Sequence, residues 1–271
     1  MISLTLNYRA MMGRAYPRMV GVLREPSWIL FDILLPLLGM GAFIYYYRAM
    51  GAPEVYTGFV VLGGAMTAFW LNVLWSMASQ FYWEKETGNL QLYLLAPMSR
   101  MAVLAGMALG GMFLTTIRAF STFILGFVIF DVQLETSNPW GLVAVFLITM
   151  VALYGMGMLF SSLYMLYGRG AWHITNLLQE PIYLVSGFYF PVRQLGFWVA
   201  AAGSIIPITL GLDAMRQLMF SGPEVDPFLP WQVELVILVG LAFVYLIAAK
   251  YALAYMEHLG KREGRLTLRW Q

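Results

Sequence analysis

The sequence predicts an all-α membrane protein with six transmembrane helices, an N-terminal amphipathic interface helix and a broken, re-entrant fifth helix region. Three observations predict it. Of 271 residues, 61% are hydrophobic and only 11% are charged, against roughly 25% charged in a soluble globular chain. So few charges cannot cover a surface of this size, and the natural solvent on most sides is lipid. Apolar runs over 28–48, 57–81, 103–130, 139–163 and 231–256 each reach the roughly 20 residues that a spanning helix needs. The basic residues are also segregated along the chain.

That segregation sets the orientation, because Lys and Arg accumulate on the cytoplasmic side. With the N-terminus inside, the inner segments hold Arg9, Arg14, Arg18, Arg24, Lys85, Arg100, Arg169, Lys250, Lys261, Arg262, Arg265 and Arg269. The outer segments hold Arg48, Arg193 and Arg216, and Arg118 falls within a span. The expectation is a multi-pass protein of the plasma membrane with both termini cytoplasmic. The first run is longer than the roughly 7–15 residue core of a signal peptide and no small-x-small site follows it, so it is read as a retained helix.

Parity resolves the remaining apolar region, 171–212, which is broken by Pro181, Gly187, Pro191, Gly196, Gly203 and Pro207. Two crossings there would place the basic tail outside. One crossing, over 172–187, keeps it inside. Residues 188–207 then dip from the outer side and return. Irregular backbone survives at membrane depth only where protein or a water-filled cavity surrounds it. Trp28, Trp83, Trp172 and Tyr255 mark the inner interface of this arrangement. Tyr45, Tyr56, Trp140, Tyr189 and Trp231 mark the outer one. The whole chain, 1–271, is read as a single transmembrane domain.

Residues 1–25 form the interface helix. At 100° per residue, Leu4, Tyr8, Met11, Met12, Ala15, Tyr16, Met19, Val22 and Leu23 fall within one arc, and Arg9, Arg14, Arg18 and Arg24 on the remainder. Such a helix lies in the membrane surface with its arginines toward headgroups or a cytosolic partner. Pro17 should kink it.

Enzyme chemistry has no foothold. Cysteine is absent, and no H-E-x-x-H, G-x-S-x-G or G-x-x-x-x-G-K-[ST] pattern occurs. No metal site, bound cofactor or catalytic residue is expected on this chain. His173 and His258 lie apart, and His173 beside Trp172 is most simply interfacial. A net charge of +2 is too small to suggest a nucleic-acid partner.

The most informative cytoplasmic stretch is 82–100. Gly88 is a natural helix stop. Leu90, Leu94 and Leu95 give a short following helix one apolar face, and Pro97 ends it. Those leucines suit either a groove on another protein or the lipid surface. Here the sequence resembles a known family. Glu84-x-Glu86-x-Gly88-x-Leu90, followed by Leu94, Leu95 and Ala96-Pro97, is similar to the coupling segment of ABC-2-type permeases. Asn89, Gln91 and Ala96 depart from that family's usual Thr, Glu and Ser. A second match runs through Pro181, Ser186-Gly187, Phe190-Pro191, Pro207, Asp213 and Arg216. The resemblance covers nearly the whole chain. It implies the transmembrane subunit of an exporter that pairs with a second copy of itself and with two copies of a separate ATPase. The 82–100 loop would rest on that ATPase, which would hold ATP and Mg. Few polar residues lie within the spans, so the expected cargo is amphiphilic: a hydrophobic drug, a lipid or a lipid-linked glycan.

Ionisable groups at membrane depth are functional candidates by default. They are Asp32, Arg118 and Glu180. Glu180 lies about eight residues, or ~12 Å, beyond Trp172, within reach of Arg118. That pair is read as a fixed ion pair, a switching pair or a substrate contact. A self-sufficient secondary transporter or channel would have to use these same three residues. Phe188, Tyr189, Phe190 and Phe197, with Pro191 and Pro207, form either an apolar outer gate or an interfacial anchor. Gly106-x-x-x-Gly110-Gly111 and Gly155-x-Gly157 allow close helix approach, within the chain or between two copies.

Overall fold

The computed structural model describes residues 4–24, 26–167 and 170–264. Arg169, Arg265 and Arg269 of the charge pattern lie outside them, as do the side chains of Val22, Leu23, Trp28 and Trp172. Among the described residues every regular element is a helix, and there is no strand. The elements are α1 (Leu4–Leu23), α2 (Pro26–Ala49), α3 (Val55–Leu71), a π turn (Asn72–Met77), α4 (Gln80–Glu86), α5 (Asn89–Leu95), α6 (Arg100–Phe130), α7 (Pro139–Tyr167), α8 (Gly170–Val185), α9 (Phe197–Gly203), α10 (Pro207–Met219) and α11 (Trp231–Arg262). Five stretches are long and apolar enough to span: Ile29–Ala49, Val55–Glu86, Arg100–Phe130, Pro139–Met165 and Trp231–Arg262. The count becomes six if the bent α9–α10 pair is one span.

Contacts sort the connections into two ends. At one end Arg48 donates to the Phe130 carbonyl (2.8 Å) and Tyr47 to that of Tyr189 (3.4 Å). There too Glu135 N–H bonds the Met219 carbonyl at 3.1 Å. At the other, Ser99 N–H bonds Asn7 (2.9 Å) and Arg100 pairs with Glu257 (2.9 Å). Six passes run between these ends, and the fifth is α8. Its 16 residues reach only about 24 Å, short of the ~30 Å hydrocarbon core, before the chain reverses.

The reversal descends along the flank of the bundle, with Phe197, Trp198 and Ile205 exposed. After Gly187, at φ +61, a short 3-10 turn and α9 lead down to Ile205, whose carbonyl accepts a hydrogen bond from Tyr245 at 2.6 Å. Tyr245 is fourteen residues beyond Trp231 (245 − 231), about 21 Å along α11. The chain bends by 112°, and α10 climbs back over 13 residues, about 20 Å. The element expected over 188–207 therefore extends to Met219. Pro207 opens the return helix at its first turn, where a missing N–H costs nothing, and does not close the dip. All of α10 except Gln217 is buried, packed among α7, α11 and α3.

The stretch around α3 is the centre of the bundle, 83% buried, whereas the α2 and α11 stretches are each 22% buried. Those outer helices keep apolar faces for lipid or another chain. α1 differs from its expectation. It packs along α6, where Gly106 and Gly110 admit the Met11 and Ala15 carbonyls. The helix runs through Pro17. Met11 and Ala15 face α6, and Leu4, Tyr8, Met12 and Tyr16 stay exposed. Arg14 and Arg18, expected to face headgroups or cytosol, turn into the protein.

Candidate functional site

The α4–α5 corner is held from beneath. Gly88 at φ +81 ends α4 in the left-handed conformation that glycine adopts without strain. Glu84 is buried and pairs with Arg14. It also accepts from Gln80 (3.1 Å) and Tyr93 (3.3 Å), and Arg14 lies 5.7 Å over the Tyr93 ring. Arg18 donates to Gln80 (2.6 Å) and to Ser76, and its burial lowers its pKa from the usual range. Glu84, expected to meet a partner, instead braces the corner internally. Leu90 is a second correction. It is 1% exposed and belongs to the core, whereas Leu92 and Leu95 are 64% and 84% exposed. Leu94, Glu86 and Gly88 are partly buried and Pro97 is exposed. The outward face of α5 is thus Leu92 and Leu95, and Leu92 was missed.

Within the spans, Arg118 pairs with Asp32, at 2.6 Å. The expected Arg118–Glu180 pair does not form. α8 packs against α7, α9 and the π turn, and Glu180 lies on its exposed face beside Gln179 (3.1 Å). Gln179 in turn accepts from the Trp75 indole (2.7 Å). Asp32, Arg118, Asn72, Trp75 and Ser76 line one cavity of about 460 Å³. The π turn supplies three of these five, and such turns, which hydropathy patterns do not reveal, recur at functional sites.

The end of the bundle that carries the re-entrant hairpin holds a buried polar cluster. Arg216, 1% exposed, donates to the carbonyls of Gly187 (2.6 Å), Phe188 (2.9 Å) and Phe190 (2.9 Å). It thereby satisfies acceptors that the end of α8 and the following turn leave without helical donors. It also sits 5.1 Å from the Phe59 ring centroid. Asp213 accepts from Phe228 N–H (2.8 Å), and Gln217 links the Leu229 carbonyl (2.8 Å), Glu234 (3.2 Å) and Trp231 N–H (2.9 Å). Arg216 is therefore not an outer-loop cation, and Glu234 is a buried group that the sequence reading missed. Asp213 was visible only as part of the family resemblance, and Arg216 there and as an outer-segment cation.

Phe188, expected at a gate, is fully buried under α3, in edge contact with Tyr183 at 5.2 Å. The turn at Gly187 sends it inward. Tyr189 stacks on Phe43 (4.3 Å), Phe190 is partly buried, and Pro191 and Pro207 are buried. Phe197 is exposed, edge-on to Trp198 and 5.8 Å from Phe228. Among the described residues no three His, Asp or Glu side chains converge as a metal site would need.

The family model for ABC-2 type transporters matches residues 12–220, from α1 through the α4–α5 corner to the end of α10. The chain belongs to this family. It is a multi-pass membrane permease of an ABC transporter, and membership implies an ABC ATPase as partner. Members are transport subunits and not themselves enzymes. The chain is 28% identical over 234 residues to "Nodulation protein J" of Rhizobium leguminosarum bv. trifolii, covering 81% of this chain and 80% of that protein. It is 28% identical over 147 residues to "Probable multidrug ABC transporter permease YbhR" of Escherichia coli (strain K12). That second match covers 53% of this chain and 38% of YbhR. No solved structure matches significantly.

Proposed function

We propose that two copies of this permease, with two ATPase subunits, export an amphiphilic, lipid or lipid-linked cargo from the cytoplasm. The observation that carries this reading is the family match over residues 12–220, which spans both the α4–α5 corner and the re-entrant hairpin. Both termini and the α4–α5 corner are cytoplasmic in this proposal, and the hairpin is external. Exposed Leu92 and Leu95 supply an apolar contact for the ATPase, which binds ATP and Mg²⁺. The braces from Arg14 and Arg18 transmit its motion into α1, α4 and the π turn. At the far side, α9 and α10 close the path, with Arg216 holding the reversal. An amphiphilic cargo suits spans whose lining is mostly apolar with a small polar set, and YbhR's printed name, a multidrug permease, is compatible with it.

The test is reconstitution into liposomes with and without the cognate ATPase. ATP-dependent cargo movement, and hydrolysis stimulated by amphiphiles, are expected only with both proteins present. Equal movement by the permease alone would overturn the reading in favour of a self-sufficient transporter or channel.

A further inference from the structure

The cavity beside the Asp32–Arg118 pair has features that a purely structural ion pair does not need. Both side chains remain partly open, at 36% for Asp32 and 25% for Arg118. Arg118 Nε has no hydrogen-bond partner among the described residues. Pro36, on the same wall, has no N–H. The Asp32 carbonyl therefore lacks the donor that an uninterrupted helix would supply at position 36. Arg118 Nε is itself enclosed, so what the site offers a ligand is the partly open Asp32 carboxylate and the partly open guanidinium end of Arg118. Its volume, about 460 Å³, is within the range of small-ligand pockets.

The charges decide the ligand class. A ligand bearing one charge would satisfy one member of the pair and strand the other, and an uncompensated charge away from water is strongly unfavourable. A ligand bearing both charges on one short group satisfies both members. The Trp75 indole and Thr67, also on the wall, add a ring face that favours an organic cation and a hydroxyl. Arg118 lies 18 residues into the 31-residue α6 (118 − 100), or ~27 Å from its start, so the pair sits within the spans, where the headgroup of a cargo crossing the bilayer would pass.

We propose that this cavity binds the zwitterionic headgroup of an amphiphile, its anionic group on Arg118 and its cationic group on Asp32. The inference rests on the reading of the cargo as amphiphilic and names its headgroup class.

The test uses the full chain in maltoside detergent, without ATPase or nucleotide. Three short-chain probes are titrated below their micellar concentrations: dihexanoylphosphatidylcholine, dihexanoylphosphatidylglycerol and decyltrimethylammonium. The zwitterion is expected to bind saturably, and the singly charged probes about tenfold more weakly or worse. D32N/R118Q replaces both charges with neutral polar groups, and its elution profile separates binding from folding. It should lose the zwitterion preference while eluting as the same species. Equal binding of the three probes by the unmodified protein, or an unchanged zwitterion preference in D32N/R118Q, overturns the proposal. A failure here leaves ATP-driven export standing. Intact binding with no ATP-dependent transport would overturn the export reading alone.

Discussion

Arg216 closes the turn after α8 by donating to three backbone carbonyls at once. A planar guanidinium has the donor geometry for this, and a lysine ammonium at the same Cα does not. Arg216→Met strands those carbonyls in a buried site. At about 1–3 kcal/mol for each unsatisfied group, the loss is on the order of 3 kcal/mol. Removal of a buried charge offsets part of it. The expected outcome is a lower unfolding temperature in detergent, with Arg216→Lys intermediate. An unchanged temperature in both variants would mean that the carbonyls find other donors. A second residue acts through absence. A Cβ on Gly63 would overlap the Phe188 carbonyl oxygen, whereas Gly39 has nothing near it. Gly63→Ala should destabilise by about 1–3 kcal/mol, because backbone cannot rotate aside as a side chain can. Gly39→Ala should be neutral or stabilising by up to ~1 kcal/mol. Equal unfolding temperatures for the two variants would show that the hairpin does not approach α3 this closely.

Helix α5 shows why an element can be legible while its orientation is not. Gly88 and Pro97 marked its limits, since each acts through local backbone chemistry. The inward face needed angular arithmetic. At 100° per residue, Leu94 lies 40° from Leu90, but Leu95 lies 140° and Leu92 200° away. Grouping Leu95 with Leu90 therefore mixed opposite faces. The preceding π turn compounds this, because one extra residue in a turn rotates everything beyond it and leaves composition unchanged. Leu90→Asp places a charge in the core and should abolish folding, read as loss of a monodisperse peak. Leu92→Asp and Leu95→Asp should fold normally and co-purify poorly with the ATPase. Normal co-purification of both exposed-face variants would remove α5 from the contact. The re-entrant hairpin followed the same pattern. Its existence was legible from prolines and parity, but its depth was not. Pro207 reads alike as a stop or a start, and only the Tyr245 contact with Ile205 shows how far the chain descends.

At the scale of the whole molecule, the number of passes was legible because parity depends on counting alone. The Asp32–Arg118 pairing was not, because hydropathy gives depth along each helix and says nothing about which helices are neighbours. Six passes put both ends of the described chain where α1, α5 and the last turns of α11 meet. Which end faces the cytoplasm rests on the basic residues. Among the described ones, Arg9, Arg24, Arg100, Lys261 and Arg262 lie at the α1 end, and Arg48 and Arg193 at the opposite one. The burial of Arg216 removes it from the external count and sharpens the contrast, because a cation bound to carbonyls inside the fold is not a loop charge. Single cysteines are informative probes, since the chain has none of its own. In intact cells an impermeant thiol reagent should label cysteines at Glu54, Gln133 and Glu224, which lie in the loops or turns at the α3, α7 and α11 starts. It should label Glu263→Cys, just past the end of α11, only after the membrane is opened. Labelling of position 263 in intact cells together with protection of the other three would invert the protein in the membrane. The α4–α5 corner would then lie outside, beyond reach of any ATPase.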